Sequence, residues 1–334
     1  MKITPPDTSQ TVQSFGSGKN NAISMLRLIS MLMIIGCHIC QHYGNVMAFW
    51  LNVGVQIFFI ISGFLYGQKE LVNYLGWFWK QFKKIVVIYY LFILFMIILL
   101  RLFHPECLSL YDIIKSILGI GTLQGFGHLW FVGYIVFCYL ITPILQYLCH
   151  FLLCVKKQRF LIILMGIVCM YQIYASLLNM YFMPARVLCY VAGYMLGFFY
   201  FRKGEMLFRS TILWSMLLGL SSNILYIMVR YVLSRDIPSL SVLYSYSHLF
   251  LGGMIFLLGY KLFKNIRRNT LLEFSDRYSY AIYIVHGTFA LSAFNVLDIN
   301  IPLYVKIILV YGLSIACGYC LKKVEDAVLK VMSI

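Results

Sequence analysis

Two ionisable residues near the start of the chain have a spacing that could support chemistry inside a membrane. Arg27 and His38 lie eleven positions apart in a strongly apolar stretch. On an α-helix this spacing is about 16 Å of rise, and eleven residues turn the helix by about 20° beyond three full turns, so both side chains project from one face. Burying such groups in lipid costs several kcal/mol, which favours a functional site. The structural alternative is that Arg27 extends to the water interface and His38 donates to a backbone carbonyl.

Histidine is the side chain best suited to proton transfer in this sequence. His286 and His248 also lie in apolar segments, whereas no acidic residue lies in a predicted membrane-spanning core. An imidazole can accept and return a proton near neutral pH. His38 and His42 are four residues apart and could in principle share a metal, but they have no acidic neighbour, and the cysteines lack the spacing of a zinc site. We therefore expect no metal.

The segment YLGWFWKQFKKI (74–85) alternates aromatic residues with lysines. This pattern is typical of a helix at the membrane surface. Lys80, Lys83 and Lys84 share one face of such a helix. Two interpretations stay open, namely attraction to anionic lipid headgroups and binding of a phosphorylated cytoplasmic ligand. Lysines suit the second role as mobile point charges, without the two-pronged geometry of arginine.

The stretch 103–127 is the longest between predicted spans. Its LYDIIKSILGI segment has apolar residues at helical spacing and is followed by glycines, which predicts a surface or re-entrant helix covering an opening. His128 and Trp130 follow at the outer end of the next span. A tryptophan at this depth is either an interface anchor or part of a site.

Composition places the chain among all-α, polytopic integral membrane proteins. It is 62% hydrophobic and only 11% charged, whereas a soluble domain carries roughly 25% charged residues. The net charge of +16 comes from short clusters between apolar runs, so we expect no nucleic-acid partner. Residues 1–20 read as a disordered cytoplasmic tail, 21–321 as the membrane domain and 322–334 as a cytoplasmic C-terminal tail.

The apolar runs predict about ten membrane-spanning helices. They lie near 22–42, 48–66, 85–102, 128–148, 160–178, 186–201, 211–232, 242–262, 280–297 and 302–321. With both termini in the cytoplasm, most of the 27 basic residues fall on that side. The predicted outer side keeps Arg101, Lys115, Arg186, Arg230, Arg235 and Lys306.

Four motifs, in order along residues 21–320, resemble acyltransferase family 3. Members of this family are integral membrane acyltransferases that O-acetylate bacterial surface polysaccharides, lipid-linked glycans and related acceptors. The motifs R-x10-H, FF-x-x-SGF-L, H-L-W-F and SY-x-x-Y-x-x-H match Arg27 and His38, Phe58 to Leu65, His128 to Phe131, and Ser279 to His286. Two positions depart from the family pattern. Lys80-x-x-Lys83 stands where two arginines are expected, and Gln56 replaces a residue that is often acidic.

The resemblance implies transfer of an acyl group, in the simplest case acetyl from acetyl-CoA, to a hydroxyl of a cell-surface polysaccharide or lipid-linked glycan. The protein would be a multi-pass protein of the cytoplasmic membrane. His38 and Arg27 would be catalytic, with His38 acting as a general base or as a nucleophile that carries the acyl group. Lys80, Lys83 and Lys84 would bind the phosphates of CoA, and Ser62, His128, Trp130 and His286 would contact substrate.

Two other functions suit ten spans and basic loops. One is a transporter or exporter that moves a glycan or small solute without chemistry. The sequence shows no inverted repeat and no paired broken helices of the kind that transporters often have. The other is a sensing or scaffold module without catalytic activity. The presence of the Arg27–His38 pair argues against this function.

Overall fold

The structure is all-helical where it describes the chain, which confirms the predicted fold class for that part. The computed structural model describes residues 20–155, 170, 184–203, 205–233 and 240–331, and no strand occurs among them. The helices are α1 (Asn21–His42), α2 (Met47–Leu51), α3 (Val53–Gly67), α4 (Tyr74–Phe103), α5 (Leu110–Ile117), α6 (Trp130–Val155), α7 (Pro184–Lys203), α8 (Glu205–Ile227), α9 (Leu240–Leu262), α10 (Thr270–Val285), α11 (Gly287–Ala290) and α12 (Leu303–Val331). Short 3-10 turns cover Pro105–Cys107, Gly127–Leu129 and Val296–Asp298, and a π-helical turn covers Met228–Val232.

Six helices in the described ranges are long and apolar enough to cross a membrane. They are Asn21–His42, Met47–Gly67, Tyr74–Phe103, Gly127–Phe151, Ile212–Arg230 and Leu303–Val331. The count of ten spans and the cytoplasmic placement of both termini stay predictions. The tail over 1–19 and, apart from residue 170, the fifth predicted span over 160–178 lie outside the described residues.

Three helices differ from their predicted form. The last one, α12, continues to Val331, beyond the predicted end of its span at residue 321, and covers most of the predicted C-terminal tail. The aromatic and lysine-rich segment 74–85 is continuous with the following span, so that α4 is a single helix of 30 residues. The prediction of one continuous span over 280–297 is wrong, because α10 begins at Thr270 and ends at Val285. A polar cap explains the early start of this helix. The side chain of Asn269 accepts from the amide of Leu272 at the start, and Asn295 caps a separate 3-10 turn beyond the break.

Glycines bring the backbones of α3 and α7 into direct contact. A Cβ at Gly63 or Gly67 would overlap the backbone of α7, and a Cβ at Gly193 or Gly197 would overlap the backbone of α3. Each helix therefore carries two glycines four residues apart that face the other helix. In a membrane, where lipid is as apolar as leucine, such close packing is a main source of helix association.

A proline inside α6 ties this helix to the start of α4. Pro143 has no amide hydrogen, so the carbonyl of Tyr139 lacks its usual helical donor. The hydroxyl of Tyr74 donates to that carbonyl at 2.6 Å. The freed backbone oxygen is thus satisfied within the protein, as the interior of a membrane requires.

Candidate active site

Three histidines from separate parts of the chain converge inside the bundle. His38 lies in the last two turns of α1, His128 in the 3-10 turn before α6, and His286 directly after α10. The ring centroids of His38 and His286 are 5.2 Å apart with the rings 26° from parallel, and those of His128 and His286 are 4.6 Å apart. His38 and His128 are separated by 6.4 Å. We call these three residues the histidine cluster.

Oxygen acceptors fix the position of the proton on each ring. His38 Nδ1 lies 2.6 Å from the side-chain oxygen of Gln41. His128 Nε2 lies 3.0 Å from a backbone carbonyl of α10, and His286 Nδ1 contacts another. Amide and carbonyl oxygens only accept, so each of these nitrogens donates, and in a neutral ring the other nitrogen then carries the lone pair. In its neutral form, each of the three rings therefore has one nitrogen that can accept a proton.

The three histidine rings differ in how deeply they are buried. His286 is 0% exposed and His128 is 4% exposed, whereas His38 is half-buried. The lone-pair nitrogens of His128 and His286 have no hydrogen-bond partner among the described residues. A substrate can therefore reach His38, and the other two rings pack behind it. The described residues contain no group of three or more His, Cys, Asp or Glu side chains arranged to hold a metal ion.

Gly287 makes room for the ring of His128. A Cβ at this position would overlap Cε1, Nδ1 and Nε2 of that imidazole. The break between α10 and α11 thus brings backbone against the face of a histidine, and only glycine permits so close an approach. The break that the sequence did not predict is part of the site.

A cavity of about 330 Å³ lies on the other side of an aromatic pair from the histidine cluster. Its lining includes Arg27 and Lys84 at one end, Ser62 along the wall, and Phe131 and Tyr283 at the other end. The ring centroids of Phe131 and Tyr283 are 5.0 Å apart. Tyr283 also packs against the cluster, with its centroid 5.9 Å from that of His128. The cavity therefore runs from a basic end to a wall that touches the imidazoles.

Arg27 is part of an ion-pair network at the basic end. Its guanidinium lies 3.1 Å from Oδ1 of Asp276, which also lines the cavity. The other oxygen of Asp276 lies 2.8 Å from Arg268 and accepts from the hydroxyl of Ser24 at 2.9 Å. These contacts hold Arg27 in place and leave further N–H donors of its guanidinium for a ligand.

The three predicted lysines occupy different positions relative to the cavity. Lys84 contributes to the lining of the cavity, whereas Lys80 and Lys83 are exposed on the same part of α4 and do not line it.

A fourth lysine, Lys69 between α3 and α4, lies close to these cations. Desolvation by neighbouring atoms, and then the charges of Arg27 and Lys80, lower the pKa of Lys69. Cations that repel one another in this way form a favourable place for an anion.

Trp130 has a cation over its ring. The guanidinium carbon of Arg186, near the start of α7, lies 3.6 Å from the centroid of the indole and 5.8 Å from that of Tyr134. The indole was predicted to contact substrate. Its face is in a cation–π contact with Arg186, so a ligand that approaches this face meets the guanidinium.

The acyltransferase 3 family model, described as an acyltransferase domain, matches residues 20–323. The chain belongs to the acyltransferase 3 family. No curated protein and no solved structure matches it significantly. Family membership and the long apolar helices together make the protein a multi-pass membrane acyltransferase.

A motif of this acyltransferase included Ser279, Tyr280 and Tyr283, but sequence reasoning missed Asp276 and the helical face that the four residues share. Asp276, Ser279, Tyr280 and Tyr283 all line the cavity and are spaced i, i+3, i+4 and i+7 on α10. This spacing was visible in the sequence, but the predicted span began at residue 280 and so divided the face. Gly287 and Arg186 gave no comparable local signal, because their roles depend on residues that are far away in the chain.

Proposed function

We propose that this acyltransferase moves an acyl group, in the simplest case acetyl from acetyl-CoA, to a hydroxyl of a cell-surface polysaccharide or lipid-linked glycan in the bacterial cytoplasmic membrane. The observation that carries the proposal is the cavity, which joins a cationic end at Arg27 and Lys84 to the aromatic wall of the histidine cluster. CoA has the matching shape, with phosphates at one end and a thioester on a long narrow arm.

The cationic end suits the phosphates. Arg27 offers N–H donors from a fixed guanidinium, and Lys69, Lys80 and Lys84 add mobile charges around it. This arrangement would hold the phosphates near the proposed cytoplasmic surface while the arm enters the cavity. The thioester would then approach His38 past Phe131 and Tyr283, so one of these rings must turn aside for the carbonyl to arrive.

The proposed chemistry uses the lone pair of His38. The hydrogen bond to Gln41 places the proton on Nδ1, so Nε2 can take the proton of the acceptor hydroxyl. The hydroxyl oxygen forms a bond to the thioester carbonyl carbon, and the carbon–sulfur bond then breaks. The thiolate leaves with the proton that Nε2 had taken, which yields the ester and free CoA.

Covalent catalysis by the same nitrogen is the second route. Nε2 would attack the thioester carbonyl, CoA would leave, and the acyl group would pass from the imidazole to the hydroxyl. His286 stacks on His38 at 5.2 Å in either case and holds the plane of its ring. The two routes differ in one measurable respect, because only the covalent route releases CoA and labels the protein before the acceptor is added.

The test is a release assay on purified protein in lipid nanodiscs. We expect that radiolabelled acetyl-CoA yields free thiol and a labelled O-acetyl glycan in equal amounts when a bacterial envelope-glycan extract is present. A transporter would instead move unmodified glycan across proteoliposomes without releasing CoA thiol. That result, obtained with protein that binds acetyl-CoA, would contradict the proposed function.

A further inference from the structure

Arg186 differs from Arg27, Arg268 and Arg277 in having no carboxylate partner among the residues that the structure describes. Arg27 and Arg268 share Asp276, and Arg277 pairs with an aspartate at 2.7 Å. The half-buried guanidinium of Arg186 contacts only aromatic rings within the described ranges. A partly desolvated cation without an anion is unfavourable, so a position of this kind is more stable when an anionic ligand is present.

The position of Arg186 is on the acceptor side of the proposed reaction. Arg186 lies near the start of α7, whereas Arg27 lies near the start of α1 at the opposite end of the bundle. Trp130, beneath the guanidinium, is two residues after His128 of the histidine cluster. The ring of Trp130 also contacts Phe131, which packs against Tyr283, and Tyr283 in turn packs against His128. A group bound at Arg186 would therefore be close to the imidazoles.

The chemistry of the position favours a carboxylate. An aromatic face orients a guanidinium, and the N–H donors at its edge remain directed outward in the plane. Two parallel N–H donors match the two oxygens of a carboxylate. Trp130 packs against the hydrophobic core, which fixes the platform on which the guanidinium lies.

From these contacts we infer that Arg186 binds the carboxylate of an acidic sugar and thereby selects anionic glycans as acceptors. This inference rests on the proposed function, because it assigns the acceptor class of the same site. Trp130 acts as the positioning residue for the guanidinium. A phosphate of an anionic lipid is the competing occupant, since it offers similar oxygen acceptors in the membrane.

The test compares two hexasaccharides of the same length, an oligomannuronate and a neutral mannohexaose. Their binding to the protein is measured by equilibrium dialysis in nanodiscs of zwitterionic lipid without acyl donor. We expect the oligomannuronate to bind at least about ten-fold more tightly, which is about 1.4 kcal/mol. Arg186→Gln should remove this difference, and Arg186→Lys should keep part of it. Arg101→Gln, which removes another cation of the predicted outer side, should leave it unchanged.

Each outcome has a defined meaning. Equal affinity for the two hexasaccharides, or an equal loss in Arg101→Gln, would overturn the inference. Nanodiscs with phosphatidylglycerol test the lipid alternative, because a lipid phosphate bound at Arg186 would abolish the preference there, and this too would overturn the inference. Binding of acetyl-CoA by Arg186→Gln shows that the variant is folded. The assay contains no acyl donor, so its result is independent of whether acyl transfer occurs.

Discussion

In the proposed mechanism, His38 obtains its reactive form from a neighbour that carries no charge. In many hydrolases a carboxylate orients the catalytic histidine and stabilises its cation. Here the amide oxygen of Gln41 sets the tautomer, and the stacked ring of His286 limits the rotation of the imidazole. Orientation is therefore supplied without an additional negative charge inside the bundle, where an uncompensated carboxylate would be costly.

The first prediction concerns this residue. His38→Ala should lower the rate of acyl transfer by about 10²- to 10⁴-fold, the usual contribution of a general acid or base, while the protein still inserts into the membrane. His150→Ala is the matched control, since His150 pairs with Glu70 at 2.8 Å away from the cluster. The measurement is CoA release per inserted molecule. Full activity in a normally inserted His38→Ala variant would contradict the catalytic role.

Gly287 provides a second prediction at this scale. Gly287→Ala should displace the imidazole of His128 and reduce acyl transfer strongly, because the new methyl group would occupy the space of that ring. Gly312→Ala has nothing within 4 Å of the added Cβ and should retain activity and stability. The comparison uses CoA release and the thermal unfolding temperature of the two variants. Normal activity in Gly287→Ala would show that the position of His128 is unimportant.

Neighbouring lysines on α4 allow a direct test of the proposed binding site for the acyl donor. Lys84 lines the cavity and Lys83 does not, so Lys84→Gln should raise the apparent KM for acetyl-CoA several-fold and Lys83→Gln should change it little. The maximal rate should change less, because this contact is shared by ground state and transition state. Raised salt should imitate Lys84→Gln. If both variants lower only protein abundance, the lysines bind lipid headgroups.

At the scale of elements, the contact between α3 and α7 is the least tolerant part of the fold. A methyl group at Gly193 would meet the carbonyl of Ile60, and backbone atoms cannot move aside as a flexible side chain can. Gly193→Ala should therefore destabilise the protein by about 1–3 kcal/mol or more, the usual cost of overpacking. Gly253→Ala on α9, with open space around its Cβ, should be neutral. Thermal unfolding in detergent measures both variants, and equal stability would show that the two helices can separate.

Local signals predicted the elements, and their limits explain the errors. The apolar run of α1 gave 22–42 against Asn21–His42 in the structure, because a long run in lipid has a clear hydrophobic boundary. For α10 the first turns are polar, and hydropathy alone could not detect them. Its start depends on the side-chain cap of Asn269, which has no hydropathy signal.

The sequence predicted the individual residues of the candidate site but not how these residues are arranged in space. His38, His128 and His286 each stood in a motif, yet their convergence depends on contacts between α1, the start of α6 and the end of α10. The pairing of Arg27 with Asp276 joins residues 249 positions apart. Spacing along one helix carries no information about such partners.

At the scale of the whole molecule, the number of spans is open to direct measurement. Ten spans place both the N-terminus and the C-terminus in the cytoplasm. Alkaline phosphatase fused after Ile334 should therefore be inactive, and green fluorescent protein at the same position should fluoresce. Alkaline phosphatase inserted after Ile120, in the predicted outer loop, should be active. Activity after Ile334 would require an odd number of spans.

The glycine contact between α3 and α7 also has a mechanical consequence. Two helices whose backbones are in contact move as one rigid unit. This unit carries Ser62 in the wall of the cavity and Arg186 at the opposite end of the bundle. The distance between these two points is then set by the direct packing of the two backbones, which leaves little freedom for it to change when ligands bind. A transporter that opens alternately to each side of a membrane needs its two halves to move against one another. A protein with this rigid helix pair is better suited to bind two substrates that enter from opposite sides of the membrane and meet at a fixed position.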